Sequence, residues 1–489
     1  MTDRATLWTG EDFVAATGGR PHVDAPGDIG GTSIDTRTLE AGDAFFAIAG
    51  DRFDGHDFAS KALSGGAAAL VIREDRAIAL GHLRVPKVLV PDVLGGLENV
   101  GRAARARFGG RVIGVTGSVG KTTVKEMLRA ALTPSGETHA AVRSFNNHWG
   151  VPLTLSRLSP SARYGVFEIG MNAPGEIRSL VGMVRPHVAI VTRIAPAHLG
   201  GLGSIEAIVR AKGEIFEGVE PGGTAVLNAD DPHMSALRVL AHEAGVTRHR
   251  SFGEAEGADV RLLTPIYRMG APARVAIDGT VHALTLKLPG RHNLLNALGA
   301  LAAATAVGAD AARAVEALSA MEPVEGRGTR EEIALGRGSL LLVDESYNAN
   351  PVSMVAALET LRAMPQQRRG RRVAILGDML ELGETSRDLH ADLAEAVRAA
   401  GVDLVLLVGP HMAALAERLG DQDVRHTADA QGMERVMLKA LKANDTVMVK
   451  ASNGTGLGRL VRTLRERAAT HTERAATAAE ETSETGRGA

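Results

Sequence analysis

The chain has 489 residues, too many for one hydrophobic core at about 150 residues per domain, so about three domains are expected. Its 55 basic and 57 acidic residues nearly cancel, which leaves no basic surface to argue for nucleic acid but keeps acidic or phosphorylated small substrates open. There is no cysteine, which excludes disulfides, thiolate catalysis and cysteine-based metal sites.

The first residues, MTDRATLWTGEDF, contain no apolar core of signal-peptide length, and no later run of about 18 apolar residues is free of charge. A soluble, cytoplasmic protein with no membrane insertion is expected. Residues 1–90 read as a small α/β unit of short strands and turns. Phe45 to Ile48 makes a buried strand, Asp54, Gly55 and His56 a turn, residues 58–63 a helix, and residues 67–72 another strand. Ahead of that core Ser33, Asp35, Thr36 and Arg37 cluster as either a turn or a ligand site.

A helix over 94–107 leads into a second unit, residues 91–322. Here RVIGVTGSVGKTTVKEMLRAAL, at 111–132, reads as strand, loop and helix. Val112, Ile113 and Val115 supply the buried strand. Thr116, Gly117, Ser118, Val119 and Gly120 form a loop whose backbone amides can converge on an anion. The Lys121 ammonium can reach across a β/γ-phosphate pair, Thr122 can offer a hydroxyl to Mg²⁺, and the next helix turns its positive end toward the same phosphates. This is a phosphate-binding loop. The strict pattern G-x-x-x-x-G-K-[ST] would need glycine where Val115 stands, and the spelling TGxxGKT points away from GTPases and transport ATPases and toward ligases.

Strands alternate with helices after the loop, so a parallel sheet covered on both faces is expected, with functional groups at the carboxyl ends of its strands. Glu168 lies in the apolar stretch YGVFEIG, where a carboxylate is costly unless it is paired, holds a metal or caps the following loop. His198 follows the strand HVAIVTRI and Lys212 lies on the next helix. Each has a bland alternative, a structural histidine and a solvated lysine. Residues 251–288 are expected to be antiparallel strand, with an Asp-Gly turn inside VAIDGTVHALTLKL. In GRHNLLNALGALAAATAVG, Asn293 and Asn296 share a helical face and could read an adenine edge, or serve as a cap and one tolerated polar residue.

The third unit, residues 323–467, carries SLLLVDES, RVAILGD, VDLVLLVG and DTVMVKA, apolar strands separated by helices. A second doubly wound, Rossmann-like sheet without its own phosphate loop is expected. Asp344 and Asp378, at strand ends, should face a shared cleft. The tail 468–489 is small, polar and aperiodic and is expected to be disordered.

In their order along the chain, GVTGSVGKTTVKEML, SFNNHWGVPLTL, VFEIGMN, AHLGGLGSIEAIVRAKGEIF, GRHNLLNALGA, DESYNANP and GDMLELGE resemble the Mur ligase family over nearly the whole length. The resemblance implies an amide-forming ligase in three domains. The first holds a UDP-sugar peptide, the central P-loop ATPase-like domain holds ATP, and the third closes with the amine nucleophile. DESYNANP and GDMLELGE imply the activity that joins D-alanyl-D-alanine to UDP-N-acetylmuramoyl-tripeptide through an acyl phosphate, giving the pentapeptide precursor of peptidoglycan, ADP and phosphate.

By the same resemblance, Lys121 binds the β/γ-phosphates and Thr122 and Glu168 hold magnesium. His198 and a carbamylated Lys212 serve a second metal ion. The loop from Thr116 to Thr123, together with Asn147, Asn293, Asn296, Arg327 and Asp344, contacts the nucleotide. Ser33, Asp35, Thr36, Arg37, Asp54, Gly55 and His56 hold the uridine diphosphate, and Asn348, Asn350 and Lys450 meet the dipeptide. The family commonly has KGSR where Lys450 is followed here by Ala451, Ser452 and Asn453; Arg459 is the candidate replacement for its arginine. A monomer is implied. The alternatives are another ligase of the family, a folylpolyglutamate synthase, a P-loop kinase or NTP-driven switch, and a non-catalytic paralogue.

Overall fold

The structure, a computed structural model, describes residues 5–142, 144–196, 199–264, 270–336, 338–366 and 370–469. Among them the chain builds three sheets. The first contains Arg20–His22 (β1), Gly31–Ser33 (β2), Asp43–Phe46 (β3), Ala69–Arg73 (β4) and Lys87–Val90 (β5), in the order β1-β5-β4-β3-β2. Only β1 runs antiparallel to its neighbour. The strands β3, β4 and β5 are almost wholly buried, as parallel strands covered on both faces must be.

The second sheet contains Arg111–Thr116 (β6), Thr138–Ala140 (β7), Tyr164–Glu168 (β8), Val188–Val191 (β9), Thr224–Asn228 (β10), Arg248–Gly253 (β11), Val260–Leu262 (β12), Ala273–Ile277 (β13) and Thr280–Leu284 (β14). Its order is β14-β13-β12-β11-β10-β9-β6-β8-β7. The chain leaves β6 for the edge at β7, returns to β8 beside β6, then crosses to β9 on the other side. Connections therefore diverge at the carboxyl end of β6, where an open parallel sheet leaves a crevice. Val115 pairs with Glu168 on one flank and Ile190 on the other, so its side chain is spent on the sheet core.

The expectation of antiparallel strand over 251–288 needs correction. Helix Met234–Glu243 carries the chain back between β10 and β11, so β11 continues the parallel sheet, and β12 pairs parallel with the end of β11; antiparallel pairing begins only between β12 and β13. The Asp-Gly turn between β13 and β14 is present, with Asp278 at φ 49° and Gly279 at φ 83°.

The third sheet contains Thr329–Leu335 (β15), Gly338–Glu345 (β16), Arg372–Gly377 (β17), Leu404–Val408 (β18), Val424–Thr427 (β19) and Thr446–Lys450 (β20), in the order β15-β16-β20-β17-β18-β19, parallel except for β15 with β16. The edge strands β15 and β19 lack the long apolar runs of the inner strands, so no strong strand signal marks them in the sequence.

One apolar core runs through the first unit and one face of the second sheet, joining Phe46, Val71, Leu97, Val151, Phe167 and Val191. The docking is reinforced by Trp8 Nε1, which donates to Ser156 O at 3.1 Å, and by Arg157 Nε, which donates to Thr32 O at 2.7 Å. By contrast, the buried clusters of the third unit contain only residues between Ile333 and Leu464. The third unit thus has its own core and meets the rest across a cleft. No helix among the described residues is long and apolar enough to cross a membrane.

Candidate active site

The strand β6 ends in a clamp. Thr116 Oγ1 donates to Ile169 O at 2.8 Å, Ser118 N–H to Arg193 O at 2.8 Å, and Thr192 Oγ1 to Val119 O at 2.5 Å, which ties the loop to the ends of β8 and β9. Gly120 sits at φ 84°, and a Cβ there would fall 2.5 Å from Asn296 Oδ1, so this position needs glycine. Helix Lys121–Leu132 begins without a side-chain cap, which leaves its first amide groups for an anion. Lys121 Nζ donates to Gly117 O at 2.8 Å.

The loop opens into a cavity of about 1260 Å³ between the second and third units, lined among others by Lys121, Thr122, Glu168, Asn296, Arg327 and Lys450. Glu168 is only 1% exposed. Its Oε1 accepts from Ser144 Oγ at 2.8 Å and Asn146 Nδ2 at 2.7 Å, and its Oε2 is buried without a partner. Thr122 Oγ1 lies 3.2 Å from Ser144 Oγ, which links the phosphate loop to this carboxylate. Lys212, on helix Ile205–Gly213, is wholly buried and its Nζ also has no partner. Desolvation, then the nearby Lys121 charge, pushes its pKa well below the usual lysine value, against the opposing pull of Glu168, Glu176 and Glu214. The Lys121 pKa falls as well, chiefly through desolvation, with Glu168 opposing and Arg327 adding to the fall.

Among the described residues no group of three or more His, Cys, Asp or Glu side chains could hold a metal ion by itself. The donors that are present, one orphaned carboxylate oxygen of Glu168 and the Thr122 hydroxyl linked to that carboxylate through Ser144, suit a hard ion that takes its remaining ligands from phosphates and water. His198 lies outside the described residues.

Other candidates reach the cavity by different routes. Thr123 lines it, as does Asn147, but the Asn147 Oδ1 accepts from the Trp149 and Gly150 amides at the start of helix Gly150–Ser156. Asn293 Nδ2 donates to Pro289 O at 2.7 Å and Asn296 Nδ2 to Asn293 Oδ1 at 3.4 Å, so the asparagine pair at the start of helix Arg291–Ala306 is partly self-satisfied while lining the cavity. The Arg327 guanidinium stacks 4.2 Å from the Tyr347 ring centre. Lys450 Nζ donates to Asn348 O at 3.0 Å and faces Glu345 at 3.4 Å. Asn350 caps helix Pro351–Ala363 through a reciprocal pair with Ser353.

Two strand-end carboxylates do not face the cleft as expected. Asp344 Oδ1 accepts from the Ser346 amide and hydroxyl, and its Oδ2 faces Arg465 at 3.4 Å. Asp378 accepts from the Met412 amide at 2.9 Å and the His411 amide at 3.3 Å. Unsatisfied backbone amides nearby claim both side chains, and neither lines the cavity. Arg459 pairs with Glu434 and also lines neither this cavity nor the smaller one beside it.

The candidates of the first unit lie away from both cavities. Ser33 Oγ donates to Asp35 O, and Asp35 holds Arg37 at 2.6 Å, with Thr36 between them. His56 is buried between Asp54 Oδ1 and the Arg73 amide, and Gly55 N–H donates to Ile48 O. Sequence reasoning missed Ser144 and Asn146, which orient Glu168, and Arg193, His292, Glu345 and Tyr347, which line the cavity. Ser144, Asn146, His292, Glu345 and Tyr347 did stand inside quoted motifs, and that was the available signal.

A phosphate loop at the switch point of a parallel sheet, facing a second doubly wound unit across a cavity, defines an enzyme that acts on the terminal phosphates of a nucleotide at a domain interface. Residues 28–106 match the Mur ligase family catalytic domain, residues 115–304 the Mur ligase middle domain, and residues 329–453 the Mur ligase glutamate ligase domain. The chain belongs to the Mur ligase family. It is 37% identical to the UDP-N-acetylmuramoyl-tripeptide–D-alanyl-D-alanine ligase of Escherichia coli (strain K12), covering 89% of this chain and 93% of the relative. To the ligase of the same name from Bacillus subtilis (strain 168) it is 32% identical, covering 90% and 93%. Among solved structures, MurF from Acinetobacter baumannii superposes with a TM-score of 0.80 at 30% identity, covering 94% of this chain and 99% of that one. MurF ligase from Thermotoga maritima in complex with ADP gives 0.72 at 27%, covering 90% and 98%.

Proposed function

We propose that this chain is an ATP-dependent ligase that joins D-alanyl-D-alanine to UDP-N-acetylmuramoyl-tripeptide, giving UDP-N-acetylmuramoyl-pentapeptide for peptidoglycan, ADP and phosphate. The observation that carries it is the full-length similarity to ligases of that activity, on a fold whose phosphate loop faces the DESYNANP segment across the cavity.

A carboxylate does not condense with an amine in water without activation. Transfer of the γ-phosphoryl group to the terminal carboxylate of the tripeptide forms an O–P bond as the bond to ADP breaks. The amine nitrogen of the dipeptide then bonds to the carbonyl carbon, the C–O bond to phosphate breaks, and the ammonium proton is lost. Lys121 and the uncapped amides opening helix Lys121–Leu132 would bind and stabilise the phosphate oxygens. Thr122 and Glu168 would hold Mg²⁺, which would offset charge on those oxygens. Burial biases the unpartnered Lys212 amine toward the neutral form that addition of carbon dioxide requires; the resulting carbamate, with His198, would serve a second magnesium ion.

Residues 1–90 would bind the UDP-sugar end, through Ser33, Asp35, Thr36 and Arg37 and the turn Asp54-Gly55-His56. Residues 91–322 would hold ATP, with Asn147, Asn293, Asn296 and Arg327 at the nucleotide. Residues 323–467 would bring the dipeptide, with Asn348, Asn350 and Lys450 nearest. The separate core of the third unit supports closure over the acyl phosphate, which excludes water. The enzyme would act as a cytoplasmic monomer.

The test is phosphate release with ATP and magnesium, adding the UDP-tripeptide and D-alanyl-D-alanine singly and together, with mass spectrometry of the product. Release that needs both, with a product mass equal to their sum less water, is expected. Phosphate released regardless of the dipeptide, with no amide product, would overturn the assignment in favour of a kinase or NTP-driven switch.

A further inference from the structure

Beside the nucleotide cavity lies a smaller one of about 260 Å³, bounded by Ser118 and Lys121 of the phosphate loop and by Asn348, Glu381 and Asn453 of the third unit. Among the described residues that line it, Lys121 is the one cation and Glu381 the one carboxylate. The small cavity therefore runs from a group that binds anions to a group that binds cations.

Glu381 is also held in place by an unusual backbone. It stands at φ 65°, a left-handed conformation unfavourable for a glutamate and kept only where the surroundings impose it. The preceding amides are fixed, Met379 N–H to His390 Nε2 at 2.9 Å and Leu380 N–H to Ser452 Oγ at 3.0 Å. Leu382, the next residue, is buried. Beyond it, Gly383 lies against Gly200 of the second unit so closely that a Cβ on Gly383 would fall 2.6 Å from Gly200 Cα. The turn carrying the carboxylate is thus pinned within its own unit and rests on the unit that carries the phosphate loop. Preorganisation of this kind is what a binding group requires.

Resting on the ligase function proposed above, we propose that Glu381 binds the α-ammonium group of the incoming dipeptide and holds its nitrogen toward the acyl group gathered at Lys121. An amine substrate that arrives protonated needs an acceptor for its N–H donors, and a carboxylate makes charge-assisted hydrogen bonds with them. Hydroxylamine, which is uncharged at neutral pH, can capture the same acyl phosphate as a hydroxamate without needing that acceptor.

The experiment compares full-length wild type, Glu381→Gln and Glu381→Asp, each given ATP, magnesium and UDP-tripeptide with either D-alanyl-D-alanine or hydroxylamine. Loss of a hydrogen bond to a charged group should raise the KM for the dipeptide about tenfold to a hundredfold in Glu381→Gln, and lower the ratio of dipeptide product to hydroxamate by a similar factor. Glu381→Asp should recover part of that loss. The KM for UDP-tripeptide should stay within about twofold. An unchanged dipeptide KM, or equal losses with both nucleophiles, would overturn the assignment of Glu381 alone. A wild-type protein that forms hydroxamate but no amide with the dipeptide would overturn the proposed acceptor, and this assignment with it.

Discussion

Ser144 Oγ donates a 2.8 Å hydrogen bond to Glu168 Oε1, and this oxygen also takes the Asn146 amide, so the other carboxylate oxygen is left buried and unpartnered. Neighbours that orient a ligand and leave its free atom pointed at a site are a recurrent feature of metal-binding carboxylates. Replacing Glu168 by Gln should lower ligase activity by about a hundredfold or more and raise the magnesium concentration needed for half-maximal rate. Ser144→Ala, which frees the orientation only, should cost about tenfold. Initial rates over a magnesium series check both; an unaltered magnesium dependence in Glu168→Gln would show that this oxygen holds no metal.

Lys212 is buried, unpartnered and strongly biased to the neutral amine by desolvation and by Lys121. Buffers stripped of carbon dioxide should therefore lower the rate, and bicarbonate should restore it. Lys212→Ala should lose about a hundredfold or more in rate, with partial recovery on adding a short carboxylic acid. Carbon-13 NMR with labelled bicarbonate reads the carbamate directly. A rate indifferent to bicarbonate, with no carbamate signal, would leave Lys212 as an unmodified buried amine.

Gly120 combines a left-handed backbone with close approach to Asn296. Gly120→Ala should strain the loop by roughly 1–2 kcal/mol and weaken ADP binding by about tenfold. Adding Asn296→Ala removes the side-chain overlap but leaves the backbone cost, so recovery should be partial at most. Calorimetric titration with ADP measures each step.

His390 is wholly buried. The Met379 amide can only donate, so His390 Nε2 accepts, and the ring proton sits on Nδ1, which donates to Ser386 O at 2.6 Å. Burial lowers its pKa, against the Ser386 carbonyl and Asp378, with His411 adding to the fall. Below about pH 6.5, the ordinary value, the unfolded chain binds the proton more readily than the folded one. The contribution of this histidine to stability is therefore complete above that pH and is lost as pH falls through the lower folded value. Thermal unfolding between about pH 8 and 5.5 should show a fall on acidification that is smaller in His390→Gln. Identical slopes would assign the fall to other groups.

Much of the architecture was legible because it is local. The apolar runs of β6, β8, β9, β16, β17, β18 and β20 are buried inner strands, and such strands show in the sequence without reference to their neighbours. Edge strands such as β19 are half solvated and carry a weaker pattern. The direction of β11 was not legible in its own residues, because the crossover helix, and not the strand itself, decides whether pairing is parallel.

The sequence by itself determined the strand, loop and helix around Lys121, the parallel sheets and membership of the Mur ligase family, since spacing and short-range backbone preference suffice for these. Tertiary structure alone decided which polar groups turn toward the cleft. Asp344 and Asp378 bend back to backbone amides and a neighbouring arginine, while Glu168 keeps one oxygen unpartnered and Glu381 lines a small cavity with Lys121. The reason is competition. A carboxylate at a strand end goes to whichever donor the folded chain places nearest; Ser346 beside Asp344 is local, but Arg465, Met412, Ser144 and Asn146 are brought to their carboxylates from far away in sequence.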